Sequence, residues 1–403
     1  MFGEAKIFTR SIQSNKQVFH IILNKQLCYQ KFQTIRAMTR VKRRRGGDSS
    51  EIPLDVQVEI LIPLDVQIEI LARLPHESLM RFKCVSKCWY ILIHSRYFTN
   101  LYRTVASSRP QQPQLYMSLV DEQERLLLSL SPSSSSNNAE SLVPDLTMPG
   151  LGGDWMAVLR GLVLCTASCG DMCIYNPTTR QTLILPEGFT DLPPQEGCGE
   201  YGYYFFGHDP VLDQYKVVHA FVICSEDYEM IITEYHVFVL EAGGSWRARE
   251  YDEPPLHHMP GFFGRRTWLC INGVIYYLAL TSMSHFIIVS FDVGTEEIKE
   301  MELPYSFSTI DGVKARHMGF IEYGGKPAIL DHKRLVPEGL VDLWVLEDGG
   351  RWSKKPLALQ PCQMHLVDKD VSLTVQGTTQ NGEAILAPFY LVSPYYILYY
   401  DQN

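Results

Sequence analysis

The sequence predicts a small module of three short helices followed by an all-β domain of about six propeller-like blade units. Two observations support this division. Residues 63–92 carry apolar side chains at helical spacing, interrupted by a proline and by a serine suited to cap a helix. From about residue 114, short alternating strands are separated by Gly, Pro, Asn and Asp, and related segments recur about every fifty residues.

The first helix is expected to begin after Pro63. A first helical turn tolerates the missing N–H of proline, and Asp65 places a negative charge near the positive end of the helix dipole. Apolar residues then recur on one face until Pro75 ends the run. These residues are Val66, Ile70, Leu71 and Leu74.

Two further helices are expected, one from about Ser78 and one capped by Ser86. The second carries Leu79, Phe82 and Val85, and the third carries Trp89, Ile91 and Leu92. A module of about forty residues is too small to bury much apolar surface alone. It is therefore expected to complete its core against a partner.

Residues 62–104 resemble an F-box. The match comprises Pro63, Leu64, Ile70, Leu71, Leu74, Pro75, Leu79, Arg81, Phe82, Cys84, Val85, Ser86, Lys87 and Trp89. This resemblance implies docking on a Skp-type adaptor, and through it on the cullin of a ubiquitin ligase. The implied adaptor contacts are Pro63, Leu64, Ile70, Leu71, Leu74, Pro75, Leu79, Cys84, Val85 and Trp89. The alternative is an ordinary three-helix cap on the larger domain.

The start of this motif is doubled, since 52–61 reads IPLDVQVEIL and 62–71 reads IPLDVQIEIL. Only the second copy continues into the Leu74-Pro75 pair, so it is assigned to the motif. The first copy, in residues 51–61, is then an extra helix or a tether, with a weaker alternative that it competes for the adaptor groove. Residues 105–113, with two prolines, are expected to be a linker.

The β domain, 114–403, contains a repeat that is clearest where a strand ends in an apolar residue followed by an acid or amide. Its six examples end at Val120, Tyr175, Leu240, Phe291, Leu346 and Tyr400. Trp246 and Trp352 are expected to pack between neighbouring sheets. The last unit stops short, so the ring is either incomplete or borrows the strand around 115–120.

Several motifs of this domain look like the F-box-associated domain of plant F-box proteins. They are RGLVLC at 160–165, IYNPTTRQ at 174–181, DPVLDQYKVV at 209–218, INGVIYYLA at 271–279 and VDLWVLEDGGRW at 341–352. That domain is similar to Kelch-like propellers, and the resemblance implies a platform that recognises a target protein.

Charge is distributed unevenly along the chain. Residues 1–50 carry 11 Lys and Arg against 2 acids, and residues 51–105 carry 6 of each, out of totals of 36 and 45. The remainder therefore holds 19 bases and 37 acids, a net −18. This acidic domain disfavours nucleic acid and favours a basic or neutral partner.

The basic residues 1–50 are interpreted as a disordered, solvated tail. Sharper alternatives are a nuclear-localisation patch at 42–45 or an organelle transit peptide. A chain starting at Met38 would place the motif near its N-terminus. In that case the first 37 residues would not be translated in the main protein product. No apolar run approaches 18 residues, so no membrane contact is expected.

The ten cysteines are interpreted as reduced, which favours an intracellular location in the nucleus, the cytoplasm or both. Cys165, Cys169 and Cys173 are evenly spaced, but a hairpin turn at Gly170-Asp171 is expected between them. No metal or other cofactor is therefore predicted.

No catalytic residues are predicted. The Gly197–Gly202 stretch matches G-x-G-x-x-G formally, yet it follows two prolines and does not lead into a helix. One loop mixes aromatic and cationic side chains suited to target binding, with a packed interblade loop as the alternative. Its candidates are His257, His258, Phe262, Phe263, Arg265 and Arg266.

Together these features predict a non-catalytic substrate receptor of a ubiquitin ligase. The competing hypotheses are an adaptor-bound scaffold without a role in degradation and, less favoured, a propeller enzyme. The identity of the target protein does not follow from the sequence.

Overall fold

The computed structural model describes residues 2–3, 5–10, 18–24 and 63–400. Within the last range the gaps are 75, 96, 99–100, 103–104, 106–113, 121–124, 133–141, 168–169, 178–179, 191, 250–256, 262–267, 283–284, 305–306, 308–316, 361–362, 365–366, 368–370, 380–381 and 389–394. The chain divides into two compact units, one helical and one made of β-sheets. The duplicated copy at 52–61 lies outside the described residues.

Between residues 63 and 95 the described part of the helical unit forms three short helices, as predicted. They are α1 at Leu64–Ala72, α2 at His76–Phe82 and α3 at Lys87–His94. The carbonyl of Pro63 accepts from Gln67 N at 3.0 Å, so the helix begins where the proline predicted. Ser86 caps α3, because its Oγ accepts from Trp89 N at 3.1 Å.

A small core holds the three helices together. Its buried members are Leu71, Ala72, Leu79, Ile93 and Phe98. Two side-chain hydrogen bonds support it: Trp89 Nε1 donates to Gln67 Oε1 at 2.5 Å, and Tyr102 Oη donates to the carbonyl of Leu74 at 3.0 Å. These bonds link α3 to α1 and fix the end of α1.

The β unit is a six-bladed, propeller-like arrangement. Three strands precede the helices in sequence: β1 at Phe2–Gly3, β2 at Ala5–Arg10 and β3 at Val18–Asn24. Blade 1 is β3 with β4 (Gln114–Val120), β5 (Arg125–Pro132) and β6 (Leu142–Pro149). Blade 2 is β7 (Leu151–Leu159), β8 (Leu162–Ala167), β9 (Met172–Asn176) and β10 (Gln181–Ile184). Blade 3 is β11 (Cys198–Asp209), β12 (Gln214–Ser225), β13 (Ile231–Val239) and β14 (Trp246–Ala248).

The other three blades follow the same antiparallel pattern. In blade 4, β15 (Met259–Pro260) and β16 (Trp268–Ile271) both pair with β17 (Val274–Ser282), followed by β18 (His285–Asp292) and β19 (Ile298–Glu302). Blade 5 is β20 (Met318–Tyr323), β21 (Lys326–Asp331), β22 (Leu340–Glu347) and β23 (Arg351–Leu359), with a short helix α4 (Leu335–Glu338) before β22. Strand β1 adds a fifth strand to this blade by pairing parallel with β23, an exception to the antiparallel pattern. Blade 6 contains β24 (Leu373–Thr378), β25 (Ala384–Pro388) and β26 (Tyr395–Tyr400).

The N-terminal strands complete the ring, which corrects the prediction of a solvated tail for residues 2–3, 5–10 and 18–24. Strand β2 pairs antiparallel with β26 as the fourth strand of blade 6, with Ala5 opposite Tyr400. Strand β3 pairs with β4 and contacts both β7 and β24, the first strands of the neighbouring blades. The segments AKIFTR and VFHIILN combine β-branched and aromatic residues, which favour strands over a basic tail. The strand at 115–120 is therefore an ordinary member of blade 1, and β2 and β3 close the ring.

The repeated strand ends found in the sequence are the third strands of blades 2–6. Val120 differs, because it ends the second strand of blade 1, so the repeat is one strand out of phase in this blade. The two tryptophans lie between blades as predicted. Trp246 Nε1 donates to the carbonyl of Pro186 at 2.8 Å, and Trp352 Nε1 donates to that of Glu302 at 2.9 Å. Each bond runs from the fourth strand of one blade to the end of the preceding blade.

Candidate functional site

The helical module exposes a set of large apolar side chains, which we call the module's apolar surface. It consists of Leu64, Val66, Ile70, Val85, Tyr90, Ile91 and Tyr97, with exposed fractions from 38% for Val66 to 68% for Ile91. These residues come from α1, the α2–α3 turn, α3 and the helical residues that follow. Exposed apolar side chains from several elements of one small module are typical of a protein-binding surface.

The predicted adaptor contacts divide into two groups. Pro63, Leu64, Ile70, Cys84 and Val85 are exposed. Leu74 and Trp89 are partly buried in the module's core. Pro75 lies outside the described residues.

Leu71 and Leu79 contradict the prediction, because only 0% and 2% of their surfaces are exposed. Both belong to the core that holds α1–α3 together. Their role in this structure is to stabilise the module, since neither offers surface to a partner.

The sequence reasoning omitted Val66, Tyr90, Ile91 and Tyr97 from the contact set. Helix α3 reads KCWYILIH, so its sides are apolar almost all round. Such a helix in a small module cannot bury every side against its own chain. The apolar character of α3 on nearly every side was therefore the sequence feature that could have predicted Tyr90 and Ile91 as exposed residues.

The predicted target-binding loop is only partly described. Phe262, Phe263, Arg265 and Arg266 lie outside the described residues. His257 is exposed, and its Nδ1 accepts from Thr233 N at 3.1 Å. His258 contradicts the prediction, because it is fully buried.

His258 is part of a hydrogen-bonded group inside the β unit. Its Nε2 lies 2.6 Å from Tyr235 Oη and 2.9 Å from Tyr277 Oη. These two tyrosines belong to blades 3 and 4, so His258 joins the two blades and cannot meet a target at the surface. For this residue the packed interblade alternative is the observed one.

The β unit contains a concave, polar cavity of about 300 Å³. Blade 2 supplies most of its wall, through Gly153, Thr166, the Gly170-Asp171 turn and the 185–188 segment, and Tyr204 and Arg125 complete it from blades 3 and 1. The predicted hairpin turn is present, since Ala167 N donates to the carbonyl of Asp171 at 2.8 Å. Arg125 Nη1 donates to the carbonyl of Ala167 at 2.7 Å, which ties the turn to blade 1.

The region around this cavity is acidic. The segments 185–204 and 222–234 contain eight acids and no Lys or Arg. Three large apolar side chains in and beside these segments are also exposed: Phe189 (43%), Tyr201 (44%) and Met230 (37%). The combination of carboxylates with exposed aromatic and aliphatic groups suits a basic protein partner.

Two of the evenly spaced cysteines face each other across adjacent strands. Cys165 and Cys173 are register partners, with their Sγ atoms 3.6 Å apart. The hydrogen bond with Cys173, together with burial, holds the pKa of Cys165 far above its ordinary value. Cys169 lies outside the described residues, and among those described no three His, Cys, Asp or Glu side chains come together as a metal site requires. The helices of the described segments also include none with the length and apolar character needed to cross a bilayer.

Comparison with known proteins agrees with both halves of this architecture. Residues 60–101 match the F-box domain, and residues 114–403 match the F-box associated beta propeller domain. The chain is 50% identical over 370 residues to the F-box protein At5g62660 of Arabidopsis thaliana, covering 89% of this chain and 92% of that one. It is 46% identical to the F-box/LRR-repeat protein At2g40920 (82% and 76% covered) and 37% identical to the F-box/kelch-repeat protein At4g19930 (89% and 83% covered), both of Arabidopsis thaliana.

Among solved structures, an oligogalacturonate lyase from Vibrio parahaemolyticus matches 72% of this chain and 86% of its own at 8% identity, with a TM-score of 0.31. That similarity is too low to inform the fold or the chemistry.

A three-helix docking module joined to a six-bladed propeller defines a class of two-part interaction proteins. With both domain matches and the plant relatives, the chain belongs to the F-box proteins that carry an F-box-associated β-propeller.

Proposed function

We propose that this chain is the substrate-recognition subunit of a Skp–cullin–F-box ubiquitin ligase. The observation that supports this most is the module's apolar surface on a segment that matches the F-box domain. The F-box docks on a Skp-type adaptor, and through it on cullin, while the propeller holds a target protein. The chain acts in the nucleus, the cytoplasm or both.

The docking step follows from the hydrophobic effect. Each large side chain that moves from water into an interface contributes up to about 1.5–3 kcal/mol. Val85, Tyr90 and Ile91 each expose more than half of their surface and lie close together in sequence. We expect these residues to dominate adaptor affinity, with Leu64 and Ile70 contributing from α1.

The chain contributes to ubiquitin transfer by positioning the target protein. A target held on the propeller is brought to an activated ubiquitin carried by the same assembly, so tethering replaces a bimolecular encounter. No residue of this chain needs to contact the reacting bond, and its role in the ligase is non-catalytic.

Adaptor binding tests the first half of the proposal. The Val85→Asp plus Ile91→Asp double variant should lose about 100-fold or more in affinity for a purified Skp-type adaptor, measured by calorimetry. Val211→Asp is the matched control, because Val211 is 85% exposed on the propeller. Equal affinity of the wild type and the double variant would refute docking through this surface.

The role in degradation needs a separate test. Proximity labelling in plant cells with the proteasome inhibited should recover proteins that accumulate ubiquitin with the wild type but not with the double variant. Labelled partners that never gain ubiquitin, with adaptor binding intact, would favour the scaffold hypothesis.

A further inference from the structure

The cavity in the β unit is large enough to hold one side chain. Its volume of about 300 Å³ is at the lower end of the range for ligand sites. Asp171 and Glu187, both exposed, place carboxylates on its wall. The guanidinium of Arg125, the one base among the lining residues, already donates to the carbonyl of Ala167.

The two carboxylates act on the interior of the cavity. Burial raises the pKa of Tyr204, and the negative charges of Asp171 and Glu187 raise it further. Both carboxylates therefore lie close enough to make the electrostatic potential at Tyr204 negative. The same potential favours a cation at this position.

A buried histidine packs against two residues of the cavity wall, Tyr204 and Gly188. His219 is 4% exposed and stacks on Tyr204, with ring centroids 4.4 Å apart. Its Nδ1 is buried without a hydrogen-bond partner among the described residues. Burial, and then the charge of His236, lower the pKa of His219 to about 4, so at neutral pH the ring is uncharged and offers one acceptor nitrogen.

Gly188 of the cavity wall packs closely against this histidine. A Cβ atom at this position would lie 2.8 Å from His219 Nδ1 and 3.6 Å from Tyr204 Oη. A larger residue would therefore push the imidazole away and disturb the wall of the cavity.

We propose that this cavity receives a lysine or arginine side chain of the target protein. The cation lies against Asp171 and Glu187, and one of its N–H groups donates to Tyr204 Oη. Phe189, which is exposed and follows Gly188 of the cavity wall, contacts the neighbouring target residues. The inference rests on the proposed function, in which the propeller holds the target.

The test uses two labelled synthetic peptides, Ac-(Gly-Ser-Arg)₄-amide and the same peptide with citrulline in place of arginine. Citrulline keeps the shape of arginine and removes its charge. Fluorescence anisotropy with the full chain should give about tenfold tighter binding of the arginine peptide. The Asp171→Asn plus Glu187→Gln variant should lose that preference, and so should Gly188→Ala, with thermal unfolding as a check on folding.

A matched charge variant separates a defined pocket from general attraction to an acidic surface. Glu200→Gln plus Glu229→Gln removes the same charge from exposed positions that do not line the cavity. Its affinity for the arginine peptide should stay within about threefold of wild type. Equal losses in the two charge pairs, or no preference of the wild type for arginine over citrulline, would overturn the proposal.

The affinity of the same proteins for the adaptor is measured in parallel. Intact adaptor binding with no arginine preference overturns this inference alone. Absent adaptor binding in the wild type overturns the proposed function instead.

Discussion

Lys216 and Glu296 form an ion pair that is almost entirely removed from water, with Nζ 2.7 Å from Oε1 and exposed fractions of 4% and 7%. Lys216 lies on β12 of blade 3, and Glu296 lies in the turn after β18 of blade 4. Arg247 of blade 3 also donates to the same carboxylate oxygen. Blades 3 and 4 are thus joined by charge as well as by apolar packing.

Neutralising one partner of this pair should be costly. Glu296→Gln leaves the ammonium of Lys216 buried without a counter-charge, so we expect the free energy of unfolding to fall by about 3–5 kcal/mol. Chemical denaturation followed by circular dichroism measures the change. The exposed pair Lys299–Glu297 provides the control, since Glu297→Gln there should cost less than about 1 kcal/mol.

Removing both charges should be far less harmful than removing one. A Lys216→Met plus Glu296→Leu chain should recover most of the lost stability, because burying apolar side chains carries no cost of desolvating a charge. A double variant as unstable as Glu296→Gln would show that the cost arises from packing and not from charge.

The two buried leucines of the F-box give a second prediction. Leu71→Ala and Leu79→Ala each leave a cavity in the module's core, so each should destabilise the module by about 2–5 kcal/mol. Val85→Ala, at an exposed position, should change stability by less than about 0.5 kcal/mol. Hydrogen exchange of the amides in 64–94 reports the module separately from the propeller.

The F-box variants also test the division of residues made above. If Leu71→Ala weakened adaptor binding while exchange rates stayed at wild-type values, Leu71 would be a contact residue after all, as the family resemblance implied.

Much of this architecture could be predicted from the sequence, and the exceptions have physical causes. Helical spacing places Ile70 and Leu71 in one apolar run, yet they point to different sides, and only packing decides that Leu71 is buried. His258 stands beside exposed His257, and its burial depends on two tyrosine hydroxyls from different blades. Neighbouring residues in the sequence show neither the burial of Leu71 nor that of His258.

The ring closure was harder to predict for a related reason. Strand β2 belongs to blade 6, although nearly the whole chain separates Ala5 from its partner Tyr400. A repeat found by spacing cannot show a strand supplied from the opposite terminus. In contrast, Trp246 and Trp352 recur in equivalent motifs, and their interblade role could be predicted.

Buried His332 makes stability depend on pH. Burial, and then the charge of His317, lower its pKa to about 3, whereas an unfolded histidine titrates near about 6.5. Between these values the unfolded chain binds a proton that the folded chain does not. Stability should therefore fall as the pH is lowered from about 7 toward 4.

His332→Leu should make that pH dependence shallower, because the leucine cannot take up a proton in either state. The slope of unfolding free energy against pH is the readout, and the absolute stability is not. Parallel curves for His332→Leu and wild type would contradict the prediction.

Residues upstream of the F-box should contribute to the propeller's stability. A chain starting at Met38 lacks β2, which forms six register pairs with β26, and β3, which lies beside β4, β7 and β24. Both losses expose strand edges that the full chain pairs. We expect the midpoint of thermal unfolding to fall by at least about 5 °C, measured by scanning calorimetry. A synthetic peptide of residues 1–24 should restore part of the loss, and a scrambled peptide should not. Identical midpoints for the two chains would show instead that residues 1–37 behave as the solvated tail that their charge predicted.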